Sequence, residues 1–342
     1  GGILKIAGQT EEIVKFGEAI NKYDPVCVKF VGTKLSDPST LPTGYGQGVA
    51  FDPTGTYLAV AHSSSPHITI YKRNGDTFTK LSNPSTLPND VARGVAFDPT
   101  GTYLAVAYFN YPYIIIYKRN GDTFTKLSSP STLPTGTGRG VAFDPTGTYL
   151  AVAHLSSPYI TIYKRNGDTF TKLSNPSTLP TNTGCGVAFD PTGTYLAVAH
   201  DSSPRITIYK RNGDTFTKLS NPSTLPTGTG NGVAFDPTGT YLAVAHDSSP
   251  YITIYKRSGD TFTKLPDPSI LPPGSGYGVA FDPTSTYLAV AHDNSPYITI
   301  YLVTASCFKT NLMSDVSIAT RAGYAKESGV VGEYKKIVVI FR

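Results

Sequence analysis

The sequence predicts an all-β chain, and three observations carry that expectation. Its 342 residues include 33 Gly, 27 Pro and 23 Tyr with one Met and no Trp, a composition of turns and strands. The phrase GVAFDPTGTYLAVAH begins at Gly48 and returns almost letter for letter at Gly94, Gly140, Gly186, Gly232 and Gly278, each time 46 residues after the last. Within each copy, short β-forming runs alternate with Pro, Gly and Asn turn signals.

The third copy shows the elements in order. Gly140 to Phe143 is a short apolar strand, and Asp144-Pro145-Thr146-Gly147 turns the chain. Tyr149 to His154 alternates Leu150 and Val152 with Ala151 and Ala153, after which Leu155-Ser156-Ser157-Pro158 breaks the run. Tyr159 to Tyr163 is β-branched, Asn166-Gly167-Asp168 is a hairpin signal, and Thr169 to Leu173 is the fourth strand. Each copy is therefore a four-stranded antiparallel meander. Its middle strands are apolar on both faces, Ala on one and Leu and Val on the other, so sheets stacked side by side bury both.

A four-stranded repeat of this length is the pattern of a β-propeller. The expectation is a six-bladed β-propeller of four-stranded blades over residues 28–302. The repeated phrase resembles the "VAFSPDG-x-x-LA" run of the WD-repeat family, although Tyr163-Lys164 stands where that family has Trp-Asp. That resemblance implies the fold and leaves the activity open. The sixth copy leaves the pattern after Tyr301, whereas "VGTKLSDPSTLP" (Val31 to Pro42) matches Thr77 to Pro88 with no copy before it. An N-terminal strand around Val28 to Leu35 is thus expected to complete the last blade and remove an exposed edge.

Counting strand directions places the Pro-Ser-Thr-Leu-Pro and Ser-Ser-Pro loops on one face, the top. The Asp-Pro-Thr-Gly and Lys-Arg-Asn-Gly-Asp turns share the bottom. Copies differ mainly at the top. The residue before the repeated Gly is Gln47, Arg93, Arg139, Cys185, Asn231 and Tyr277. The loop after the second strand carries Ser63, Phe109, Leu155, Asp201, Asp247 and Asp293, and the third strand opens with His67, Tyr113, Tyr159, Arg205, Tyr251 and Tyr297. Aromatic and Arg side chains suit interface anchors and sugar stacking, so the top is the expected ligand-binding surface.

Other chemistry is weakly supported. A net charge of +5 with dispersed Lys and Arg gives no nucleic-acid stripe, and no run is apolar enough for a membrane span. Cys27, Cys185 and Cys307 lack metal or redox spacing and fit a reducing compartment. His62, His154, His200, His246 and His292 recur once per copy, with Tyr108 in the second, too far apart around a ring for a metal and suited to a structural hydrogen bond. The Asp of each Asp-Pro-Thr-Gly turn is expected to cap backbone N–H groups. No cofactor is expected. The "VAFDPTG" phrase also resembles lactonase-type propellers, which implies acids and metal ligands converging on a channel; near-equal blades without Glu argue against an enzyme.

All five Glu residues, Glu11, Glu12, Glu18, Glu327 and Glu333, lie in the flanks. Residues 1–27 and 303–342 are expected to form one small discontinuous β-barrel or sandwich domain holding the propeller. Gly17 to Val26 and Arg321 to Val339 resemble the opening and closing phrases of tailed-phage head decoration proteins. The resemblance implies a non-enzymatic, multicopy virion-surface protein, assembled in the host cytoplasm, bound to a capsid or tail protein and displaying the propeller to host-surface glycans. A cytoplasmic WD-repeat-like interaction scaffold is the first alternative and a lactonase-like hydrolase the second.

Overall fold

The computed structural model describes residues 35–303, and every regular element among them is a β-strand. Six antiparallel sheets follow one another in chain order, five of four strands and the sixth of three. They begin at Gly46, Ala92, Gly138, Gly184, Gly230 and Gly276, and each is a simple meander. Sheet 3 is typical, with strands Gly138–Phe143, Tyr149–His154, Ile160–Asn166 and Thr169–Lys172. This is the propeller architecture of six blades that the repeat predicts. The closing strand falls outside the described residues apart from Leu35, and so do residues 1–27 and 304–342 of the expected flank domain.

The core lies between sheets, where the two apolar faces meet as expected. Ala105, Ala107, Ile114 and Ile116 of sheet 2 pack against Val141, Leu150 and Val152 of sheet 3. Small side chains thus receive large ones, and each fully buried Leu or Ile contributes ~2 kcal/mol. The outward faces of the first and sixth sheets stay open among the described residues. Val49 of sheet 1 is 65% exposed, whereas its counterparts Val95, Val141 and Val187 are each 9% exposed.

The first strands of neighbouring sheets lie unusually close. A Cβ on Gly94 would stand 2.7 Å from the Arg139 carbonyl oxygen and 3.2 Å from the Gly140 Cα. The repeated Gly of GVAF is therefore required by backbone meeting backbone near the propeller axis.

The bottom turns join sheets as well as ending strands. The Asp144 carboxylate accepts from the Tyr149 N–H at 2.7 Å and the Thr146 hydroxyl at 2.6 Å, the capping role expected of it. The Tyr103 hydroxyl of sheet 2 donates to Asp168 of sheet 3 at 2.6 Å, and Lys118 donates to the same carboxylate at 2.8 Å. The Arg165 guanidinium of sheet 3 lies 4.6 Å over the Tyr103 ring. Where Gly gives way to Ser285 at a φ of 57°, the new hydroxyl donates to Asp236 of the preceding sheet at 2.9 Å, which offsets the left-handed backbone.

Candidate active site

The variable residue before each repeated Gly is a β-bulge. In sheet 3, Gly140 pairs with Ala153 and Gly138 with His154, leaving Arg139 as the extra residue between them. The same shift isolates Gln47, Arg93, Cys185, Asn231 and Tyr277 in the other sheets. A bulge re-aims the side chain out of the pleat. Because each of these strands packs directly on the next from the first sheet to the sixth, the six bulge side chains follow one another along the inner edge of the ring of sheets.

The ring is asymmetric. Arg139 donates from Nη1 to the Cys185 Sγ of the next sheet at 3.6 Å, and the thiol faces the Thr183 carbonyl at 3.7 Å. Burial pushes the Cys185 thiol up, against the opposing pull of Arg139, so it stays protonated near neutrality. Burial also pulls the Arg93 guanidinium down from its ordinary value, and the neighbouring Arg139 charge adds to that shift. The Nε atoms of Arg93 and Arg139 are buried without a hydrogen-bond partner among the described residues. Two adjacent guanidiniums with spare donors favour an oxygen carrying negative charge. On the far side, Asn231 donates to the Gly276 carbonyl at 2.9 Å and is held by the next sheet.

The loop residues form a wider circle outside this ring, and several are structural. The Thr137 hydroxyl of sheet 3 donates to the Phe109 carbonyl at 2.9 Å, and Thr229 donates to the Asp201 carboxylate at 3.1 Å. Asp247 accepts from the Thr229 N–H at 2.8 Å, which pins the incoming loop of its own sheet. Asp293 donates its backbone N–H to Ser275 at 3.3 Å. Asp201 also lies near enough to Cys185 to oppose ionisation of the thiol.

Tyr113, Tyr159, Arg205, Tyr251 and Tyr297 share a left-handed backbone, with φ between 65° and 68°. Each follows a cis proline and returns its carbonyl to the second strand, as Tyr159 does to the His154 N–H at 3.0 Å. Four of these carbonyls, those of Tyr113, Tyr159, Arg205 and Tyr251, abut the glycine that opens the next sheet, Gly138, Gly184, Gly230 and Gly276. This circle therefore spaces the blades with its backbone.

The repeated histidines are buried, and each shares a fixed threonine partner on the third strand of its sheet. His154 Nε2 lies 2.9 Å from the Thr161 hydroxyl, and His62, His200, His246 and His292 pair likewise with Thr69, Thr207, Thr253 and Thr299. In sheet 2 both partners change together, to Tyr108 and Ile115, both buried. That paired replacement was a signal in the sequence for the histidine's partner. Among the described residues, no three His, Cys, Asp or Glu side chains are grouped to hold a metal ion.

No family model matches the chain, and no curated protein matches it. Solved structures do match. A protein from Lactobacillus plantarum is 20% identical with a TM-score of 0.63, covering 77% of this chain and 82% of its own. The periplasmic gluconolactonase of Pseudomonas aeruginosa is 17% identical with a TM-score of 0.61, covering 76% and 82%. A putative 6-phosphogluconolactonase from Bacteroides fragilis is 15% identical with a TM-score of 0.59, covering 75% and 80%. At such identities the likeness shows the propeller fold alone. Several of these propellers are named as lactonases, which speaks against the expected non-enzymatic phage decoration protein and favours the hydrolase alternative. The near-equality of the blades does not extend to the bulges, whose residues differ from sheet to sheet.

Proposed function

We propose that the protein is a lactonase-like hydrolase acting at the ring of bulge side chains. The observation that carries this reading is the row of bulges, which places Gln47, Arg93, Arg139, Cys185, Asn231 and Tyr277 at one position of six inner strands and brings Arg93, Arg139 and Cys185 together. The fold likeness to proteins named gluconolactonase and putative 6-phosphogluconolactonase supports the same reaction class.

In this reading Arg93 and Arg139 receive the lactone carbonyl oxygen and hold the charge that develops on it. The Asp201 carboxylate takes a proton from the attacking water, whose oxygen bonds to the carbonyl carbon. The ring carbon–oxygen bond then breaks, the ring oxygen takes up the proton, and a hydroxy acid leaves. Cys185, kept neutral by burial, shapes the wall and forms no acyl intermediate.

The test follows acid release from glucono-δ-lactone in a pH-stat against the rate in buffer. Hydrolysis above that rate is expected, with Arg139→Ala and Asp201→Asn each lowering kcat by about 100-fold at an unchanged melting temperature. Rates equal to buffer, or variants as fast as wild type, overturn the reading.

A further inference from the structure

Sheet 2 departs from its siblings at the top in a concerted way. Where sheet 1 reads His62-Ser63-Ser64-Ser65-Pro66-His67, sheet 2 reads Tyr108-Phe109-Asn110-Tyr111-Pro112-Tyr113. Tyr108, Phe109 and Tyr111 thus replace an imidazole and two hydroxyls, beside a Tyr113 that sheets 3, 5 and 6 share as Tyr159, Tyr251 and Tyr297. Tyr108 turns into the core, yet Phe109 remains 47% exposed and Tyr111 64% exposed. Tyr111 and Tyr113 meet edge to face with centroids 6.0 Å apart, which holds Tyr111 upright against its neighbour. Asn89 donates to the Tyr111 carbonyl at 3.3 Å and fixes the loop from the other side.

This cluster adjoins the axial ring. The Arg93 guanidinium, from the inner strand of the same sheet, lies 5.7 Å from the centroid of the Phe109 ring. A cationic donor pair and an exposed aromatic surface are therefore continuous, and their chemistry is complementary to one molecule with a planar apolar part and an electron-rich oxygen. Random loop drift accounts poorly for the pattern: the other five copies keep small or charged residues where Phe109 and Tyr111 stand, apart from Leu155.

We infer that Phe109 and Tyr111 form a specificity subsite for an aromatic substituent of the substrate, so that the preferred lactone carries an aryl ring in place of a bare polyol chain. This rests on the lactonase reading and narrows its substrate class. The aryl ring stacks on Phe109 and Tyr111 while its lactone carbonyl reaches Arg93 and Arg139. Water adds to that carbonyl, the aryl ester bond breaks, and the phenol oxygen leaves with the proton.

The test compares kcat/KM for the aryl δ-lactone dihydrocoumarin and for glucono-δ-lactone with the full chain, and measures dihydrocoumarin binding by saturation-transfer NMR. Wild type is expected to favour the aryl lactone at least tenfold. Phe109→Ser/Tyr111→Ser installs the residues that sheet 1 already tolerates, so the fold is kept, and this double variant is expected to cut the preference about tenfold. Tyr111→Phe keeps a ring face and should retain the preference. Equal selectivity in wild type and the double variant overturns the subsite even when both lactones are opened. If neither is opened while binding is present in wild type and lost in the double variant, the hydrolase reading falls and the subsite stands. Absence of both reaction and binding overturns both.

Discussion

The bottom turns and the inner-strand bulges come from the same 46-residue repeat, yet the first are nearly invariant and the second differ from sheet to sheet. Their partners explain the contrast. A bottom residue such as Asp168 bonds to Tyr103 and Lys118 of the preceding sheet, so each copy must fit its neighbour and be fitted by it. A bulge side chain points to the axis, and its own backbone carbonyl, whatever the side chain, makes the close contact with the adjacent glycine, as Arg139 does with Gly94. Invariance here records coupling between copies, and variation records release from it.

The largest expected effect breaks the backbone contact that frees the bulge. Gly94→Ala would force a Cβ to within 2.7 Å of the Arg139 carbonyl oxygen, and should cost ~3 kcal/mol as overpacking. Gly121→Ala at the bottom has a φ of 56° and nothing within 4 Å, so denaturant titration should show only the ~1 kcal/mol of a left-handed residue. Equal losses at the two sites would remove the distinction between axis and bottom.

Next comes pH. Burial lowers His154 and His200 from 6.5 to about 4, so both are neutral in the folded protein where an unfolded chain would bind protons. Between pH 6.5 and 4 the unfolded state therefore takes up more protons, and stability falls as pH falls through that window, by at most ~3 kcal/mol per ring. The double change His154→Tyr/Thr161→Ile copies the Tyr108 and Ile115 pair of sheet 2. It should flatten the share of the pH slope belonging to sheet 3, as read by urea melts at pH 7 and 4.5.

A smaller effect is expected from Tyr103→Phe, which removes the hydroxyl donated to Asp168 and should cost ~1 kcal/mol. The smallest belongs to the ring. Arg139→Met keeps the stem of the side chain and loses a guanidinium that has no carboxylate partner among the described residues, so stability should move by no more than ~0.5 kcal/mol while lactone opening falls. A large stability loss there would make the ring structural and erase the contrast.

Much of this was legible in advance. The second strand of sheet 3 was expected over Tyr149 to His154 and spans those residues, and the Leu and Val face does meet the Ala and Ile face of the neighbouring sheet. Other boundaries moved by a few residues. The third strand was expected to end at Tyr163 and runs to Asn166, because Lys164, Arg165 and Asn166 continue the ladder with Thr171, Phe170 and Thr169. The candidate site was legible only as a set of variable positions. Nothing in the spacing separates Arg139, which a bulge turns to the axis, from Tyr159, whose left-handed backbone spaces the blades. The expectation of no enzyme treated the repeats as equal, whereas they differ at the bulges of the inner strands.

Local chemistry along the chain determined the strands, the turns, the repeat and the facing of small against large side chains, because those depend on neighbours within one 46-residue copy. The tertiary structure alone decided which variable residues meet. Arg93 and Arg139 are far apart in sequence and adjacent across an interface between sheets, and Tyr103 finds Asp168 across 65 residues. Such pairings follow from the angle and distance at which one sheet packs on the next, a property of the assembled propeller that no single copy contains.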